Sequence, residues 1–283
     1  MNAIELLSAS RQRLAILAAF AAFLALFWPT FGWMAERFNA PDSFYSHGWL
    51  VPLASAWLVW QRRPTLSRLT LRPAYGGLLL LIPAVLLHLL AVWSRLHAVS
   101  GLMAVAAVAG LVWTCWGREA LTALRFPIAF LLFMVPLPGI LLIGVSFHLK
   151  LAAASLATGA LRLVGIHAAQ EGSIIRLSQL TMLVDDTCSG LRSLLSLVAL
   201  TTLWTSWLPA QTERWRKLAV VAAAIPISLA ANMVRIMILT VIALVWGRAA
   251  AEGFLHYGSG IVVFGIALAA LAWLGRLLTT EAG

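Results

Sequence analysis

The chain has 283 residues, 62% of them hydrophobic and only 11% charged, with 20 Lys+Arg against 10 Asp+Glu. That composition puts most of the chain in a bilayer and leaves no stretch of ordinary polarity long enough for a separate soluble domain. In such a chain a basic excess records loop orientation and contact with anionic lipid, and nucleic acid is not implied.

Arg11 and Arg13 precede an apolar run that is too long for a signal-peptide core and has no small-residue cleavage site. It reads as a retained first span, residues 14–34. A short segment, 35–47, leads to a second and short apolar run at 48–60. The connector 61–72 holds four arginines and no acid, which marks it as cytoplasmic. Spans three and four are predicted at 74–93 and 98–116, and the connector 117–126, with Arg118 and Arg125, returns to the same side. Span five, 127–147, is interrupted by Pro136-Leu137-Pro138-Gly139, whose freed carbonyls need protein or water around them.

From His148 onward the pattern weakens. Residues 149–166 read as an interfacial helix that turns Lys150 and Arg162 to head groups, and 172–184 as an extended segment. Span six runs to about residue 207, and the basic connector 209–217 is cytoplasmic. Span seven covers 218–239, reaching toward 246, and span eight covers 256–274. The prediction is an all-α integral membrane protein of about eight transmembrane helices with both termini cytoplasmic. A short interfacial and extended segment precedes span six.

Chemistry concentrates in three places. Cys188 stands just before the apolar run of span six, after two N-cap candidates, Asp186 and Thr187, and beside Ser189. A helix N-terminus favours a thiolate, whereas Asp185 and Asp186 oppose it, so a cation is needed. Arg235 and His256 are the candidates, and the topology brings both to the outer side with Cys188. Arg235 lies inside a span, where a charge faces protein or water, with Asn232 three residues earlier on the same helix face. Gly258 and Gly260, next to His256, allow close approach of another helix or of substrate backbone.

Together these residues suit nucleophilic acyl transfer. Cys188 attacks a peptide carbonyl, Arg235 stabilises the oxyanion or the thiolate, and His256 protonates the leaving amine. Arg192 either holds Asp186 or a substrate acid, or forms a structural ion pair. Cys115 sits at the opposite, inner end of span four and reads as a packing residue. His88 and His97 form no metal-ligand spacing with any carboxylate, so neither a metal nor a cofactor is expected.

The blocks DTCSGLRS (186–193), ANMVRI (231–236) and HYGSG (256–260) resemble the three signature blocks of the exosortase/archaeosortase family of membrane transpeptidases. The stretch Tyr45-Ser46-His47-Gly48-Trp49-Leu50-Val51-Pro52, followed by Trp60-Gln61-Arg62-Arg63, resembles that family's N-terminal pattern. The resemblance implies an inner-membrane cysteine enzyme with a Cys-Arg-His triad, here Cys188, Arg235 and His256, working at the periplasmic face. It implies as substrates exported proteins whose C-terminal sorting tail carries a Pro-Glu-Pro motif, an apolar span and a basic end. It also implies a link with exopolysaccharide loci. Arg176, Arg192 or His47 would meet the motif's glutamate. Some relatives carry a further C-terminal periplasmic domain; residues 1–283 are expected to be the transmembrane exosortase domain alone.

Two rival readings stay open at this stage. One is a transporter or lipid flippase using the intramembrane Arg235. The other is a rhomboid-like serine protease built on Ser259, with His47, His88 or His167 as base.

Overall fold

The computed structural model describes residues 3–41, 43–70, 72–177, 180–184, 190–208, 212–247, 250–251 and 254–280. For residues 3–13, 254–257 and 279–280 it describes the backbone alone. Two compact units follow one another along the chain, Met1–Pro138 and Gly139–Gly283.

The first unit is built from α1 (Ala3–Asn39), α2 (Leu50–Gln61), the single turn α3 (Arg63–Leu66), α4 (Leu78–Trp93) and α5 (His97–Phe130). α5 is two helices joined at Gly117, whose φ of 90° and ψ of 174° no helix contains. A Cβ there would stand 2.7 Å from the Arg72 carbonyl oxygen, so glycine is required by both conformation and space. The expected connector 117–126 is therefore helical, with a single non-helical residue as its joint.

The predicted fifth span also resolves differently. Residues up to Phe130 close α5, a 3₁₀ turn Leu131–Met134 follows, and the next helix opens at Gly139. Proline restricts the residue before it to extended backbone, and Val135, before Pro136, adopts φ −81° and ψ 113°. The two prolines separate helices; they do not kink one.

A buried polar chain ties α1, α4 and α5 together. His88 Nε2 faces the Leu26 carbonyl at 3.1 Å, an acceptor only, so that nitrogen carries the proton. Nδ1 then accepts from the Ser100 hydroxyl at 2.8 Å, and Ser100 in turn meets the Thr30 hydroxyl. The imidazole stacks on Phe27, with ring centroids 3.9 Å apart.

In the second unit, α6 (Gly139–Leu163) is followed by an antiparallel sheet of β1 (Ala168–Glu171), β2 (Ile174–Leu177) and β3 (Thr181–Leu183). Gly172, at φ 61°, makes the two-residue turn between β1 and β2. Then come α7 (Leu191–Thr205), α8 (Arg214–Trp246) and α9 (Phe254–Thr280). Ile175 and Val184 pack onto Ala153, Ala154, Ala157 and Leu161 of α6 and onto Ile236 of α8. Small alanines let the sheet approach the helix closely. Leu197 of α7, Ala224 of α8 and Ala267 with Leu271 of α9 form a second core. The Trp204 ring of α7 lies over Gly275 of α9 and leaves no room for a Cβ there.

Among the described residues six helical stretches are long and apolar enough to cross a membrane: Leu14–Asn39, Tyr75–Trp93, His97–Met134, Gly139–Leu163, Arg214–Trp246 and Gly258–Leu278. The expected second and sixth spans are α2 and α7, of 12 and 15 residues. At 1.5 Å per residue they rise about 18 and 22 Å, short of a hydrocarbon core about 30 Å thick. The expected interfacial helix 149–166 is instead the second half of α6, one continuous helix of 25 residues. The all-α membrane architecture stands; the count of eight is not confirmed among the described residues.

Candidate active site

Cys188, with Asp185, Asp186, Thr187 and Ser189, lies outside the described residues. The chain resumes at Gly190, which caps α7 in the left-handed conformation at φ 77°, with no side-chain cap bond. This corrects the expected cap at Asp186 or Thr187 and puts the helix N-terminus two residues past Cys188 in sequence. Ser193 Oγ and the Leu194 N–H both donate to the Gly190 carbonyl, at 2.8 and 2.9 Å, and fix the first turn.

Gly190 is pressed against α8. A Cβ at 190 would stand 2.9 Å from Asn232 Cγ, 3.0 Å from its Cβ and 3.1 Å from its Nδ2. Asn232 is only 4% exposed. One turn further along the same face is Arg235, half-buried, with its Nε atom fully buried. Its guanidinium lies over Gly260 of α9, with Cζ, Nε and one terminal nitrogen 3.6 to 3.7 Å from where a Cβ would be. Ser193, Ser228, Asn232, Arg235, Gly260 and Phe264 share one small cavity of about 30 Å³. Such a volume holds roughly one water among several polar partners.

Three helices thus contribute to one polar pocket: α7 through its glycine-led start, α8 through Asn232 and Arg235, and α9 through Gly260. His256 belongs to the first turn of α9, and its side chain lies outside the described residues. Positions 256 and 260 are four apart, which puts them on one face of that helix. The pocket can hold an anion or oxyanion at a guanidinium beside buried hydroxyl and amide groups.

Each of the other predicted residues is placed by the element that carries it. Arg192 is half-buried in the first turn of α7. Arg176, on β2, pairs with Glu171 at 2.7 Å with both side chains exposed, and lines a different groove with Arg162 and His167. His47 belongs to the first unit, stacked on Tyr45 at 5.8 Å. Burial lowers its pKa, and a hydrogen bond with the Phe133 backbone opposes that shift. The Tyr45 hydroxyl accepts the Leu137 N–H at 3.0 Å, and burial raises its pKa. The block 45–52 therefore braces the turn that carries Pro136 and Pro138.

Sequence reasoning missed the contact between Gly190 and Asn232. The signal available to it was a glycine in the cysteine block and a span-interior asparagine in the arginine block, neither of which an isolated helix calls for.

A multi-pass α-helical membrane protein whose intramembrane arginine and asparagine meet two glycines on neighbouring helices is the class these observations define. The transmembrane exosortase family model matches residues 33–273, most of the chain, and the protein belongs to that family. Comparison with curated proteins and with solved structures gives no match. As an exosortase it is a multi-pass membrane enzyme of a family that acts on sorting tails.

Proposed function

We propose that the protein is a cysteine transpeptidase that cleaves C-terminal Pro-Glu-Pro-type sorting tails of exported proteins at the periplasmic face of the inner membrane. The Cys188 thiolate attacks the scissile carbonyl carbon and forms a tetrahedral oxyanion held by Arg235. The carbonyl re-forms as the C–N bond breaks, and His256 as imidazolium gives its proton to the leaving amine. A thioacyl-enzyme remains. Water or an amine then attacks it, returns a proton to His256 and releases the Cys188 thiolate.

The observation that supports this reading best is the packing of Gly190 on Asn232 and of the Arg235 guanidinium on Gly260. It draws the segment two residues past Cys188, the arginine, and the helix whose first turn holds His256 toward one pocket. Arginine stays protonated near neutral pH, so proton transfer falls to His256.

The test is co-expression with a tail-bearing substrate, followed by mass spectrometry for a thioester on Cys188. Arg235→Ala should slow cleavage by about 10²–10³, the size of a lost oxyanion donor. His256→Ala should stop turnover. Processing that survives Cys188→Ala but not Ser259→Ala would overturn the assignment in favour of a serine nucleophile.

A further inference from the structure

We infer that the end of α2 and the turn α3 form a binding site for one anionic phospholipid. The occupant's acyl chain lies along α2 and its phosphate in a groove lined by Trp60, Gln61, Arg63, Pro64 and Ser67.

The charge is one-sided. Arg62, Arg63, Arg68 and Arg72 fall within the connector 61–72, all exposed, and no acid lies among them. Among the described residues none of the four forms an ion pair with a carboxylate. α5, against which α3 packs, adds Arg118 and Arg125 with one acid, Glu119. The groove has a volume of about 520 Å³, and the Arg63 guanidinium sits 6.0 Å from the Trp60 ring centroid, a cation–π contact that holds the side chain at the groove. A guanidinium there presents paired N–H donors of the geometry a phosphodiester accepts.

The apolar half of the site identifies a lipid rather than a soluble phosphate. Leu50, Leu53, Trp57 and Trp60 recur at helical spacing, so they form one stripe along α2, and all four are exposed, Leu53 by 67%. The opposite face, with Val51, Ser55 and Leu58, is buried, and Ser55 Oγ donates to the Pro127 carbonyl at 2.9 Å. α2 is thus fixed with its stripe outward. Its 12 residues rise about 18 Å, close to the ~15 Å of a single leaflet's hydrocarbon. The stripe ends at a tryptophan, the residue that favours the head-group level. One acyl chain matches the stripe in length, and one phosphate matches the groove in charge.

The experiment uses the full chain, purified in detergent and mixed with phosphatidylglycerol and phosphatidylcholine of identical acyl chains. Native mass spectrometry reads the lipids retained. The expected result is preferential retention of one phosphatidylglycerol. The triple variant Arg62→Gln/Arg63→Gln/Arg68→Gln should lose it by about fivefold for each arginine removed. The matching triple lysine variant keeps the charge without the paired donors and should fall between the two. Leu53→Ser should weaken retention with all arginines present. Equal retention of both lipids, an unchanged glutamine variant, or displacement by inorganic phosphate alone would each overturn the proposal. Because retention is read without turnover, its failure is distinguishable from failure of the catalytic reading.

Discussion

Gly190→Ala tests the most tightly specified contact of the pocket. The substitution forces an L side chain into φ 77°, which costs about 1–2 kcal/mol. It also drives a methyl group to 2.9 Å from Asn232 Cγ and 3.0 Å from its Cβ. A rotation of the Asn232 side chain moves Cγ but not Cβ, whose position the α8 backbone fixes. The start of α7 must therefore shift, and overpacking of this kind costs about 1–3 kcal/mol more. The sum is roughly 2–5 kcal/mol.

Gly172→Ala supplies the internal comparison. Its φ is 61°, and nothing lies within 4 Å of the added Cβ, so it pays the backbone cost alone, about 1–2 kcal/mol. Unfolding in detergent followed by tryptophan fluorescence reads both variants, and tail cleavage reads the consequence at the site. In an Asn232→Ala background Cγ and Nδ2 are gone but Cβ remains, so the penalty of Gly190→Ala should shrink by about 1 kcal/mol without vanishing. Equal penalties for the two glycines, with no coupling to Asn232, would refute the packing of α7 on α8 at this point.

Gly260→Ala should leave stability nearly unchanged, since its Cβ would meet the Arg235 guanidinium at an ordinary 3.6 Å, whereas Arg235→Lys, without the planar fork, should lose most cleavage at native expression. His47 has a pKa lowered by burial, so the unfolded chain binds its proton more readily. Its stability contribution is present above the ordinary value near 6.5 and is lost as pH falls below it, and His47→Gln should flatten that acid limb in melts from pH 7.5 to about 5.5. His88→Leu removes the ring's bonds to the Ser100 hydroxyl and the Leu26 carbonyl and leaves the buried Ser100–Thr30 pair without its third member, which should destabilise the first unit by about 1–3 kcal/mol in denaturant titration.

The long apolar helices were legible because their signal is local and long. α4 matches its predicted span within a few residues, and α8 and α9 contain theirs. Errors arose where one residue outweighs a pattern. Hydropathy averages over Gly117 and sees a connector where the chain makes a single-residue joint between helices. It likewise runs through Pro136 and Pro138, which end one helix and precede another. The extended reading of 172–184 appears as β2 and β3, but β1, Ala168–Glu171, was missed because Ala-Ala-Gln-Glu has little strand preference of its own. Its pairing comes from the turn at Gly172. Of the site, Arg235 was legible as a charge in an apolar run. The seating of Gly190 on Asn232 was not, because it depends on how α7 meets α8, about 40 residues apart in sequence.

The chain of hydroxyls and imidazole at His88 has a consequence for biosynthesis. Thr30 is made early, yet the Ser100 hydroxyl it meets is made 70 residues later. Until that residue leaves the ribosome, Thr30 of the first helix has no partner for this bond, and only the contacts of His88 with Leu26 and Phe27 precede it. The polar chain of the first unit is therefore complete only when both positions, 70 residues apart, have been made.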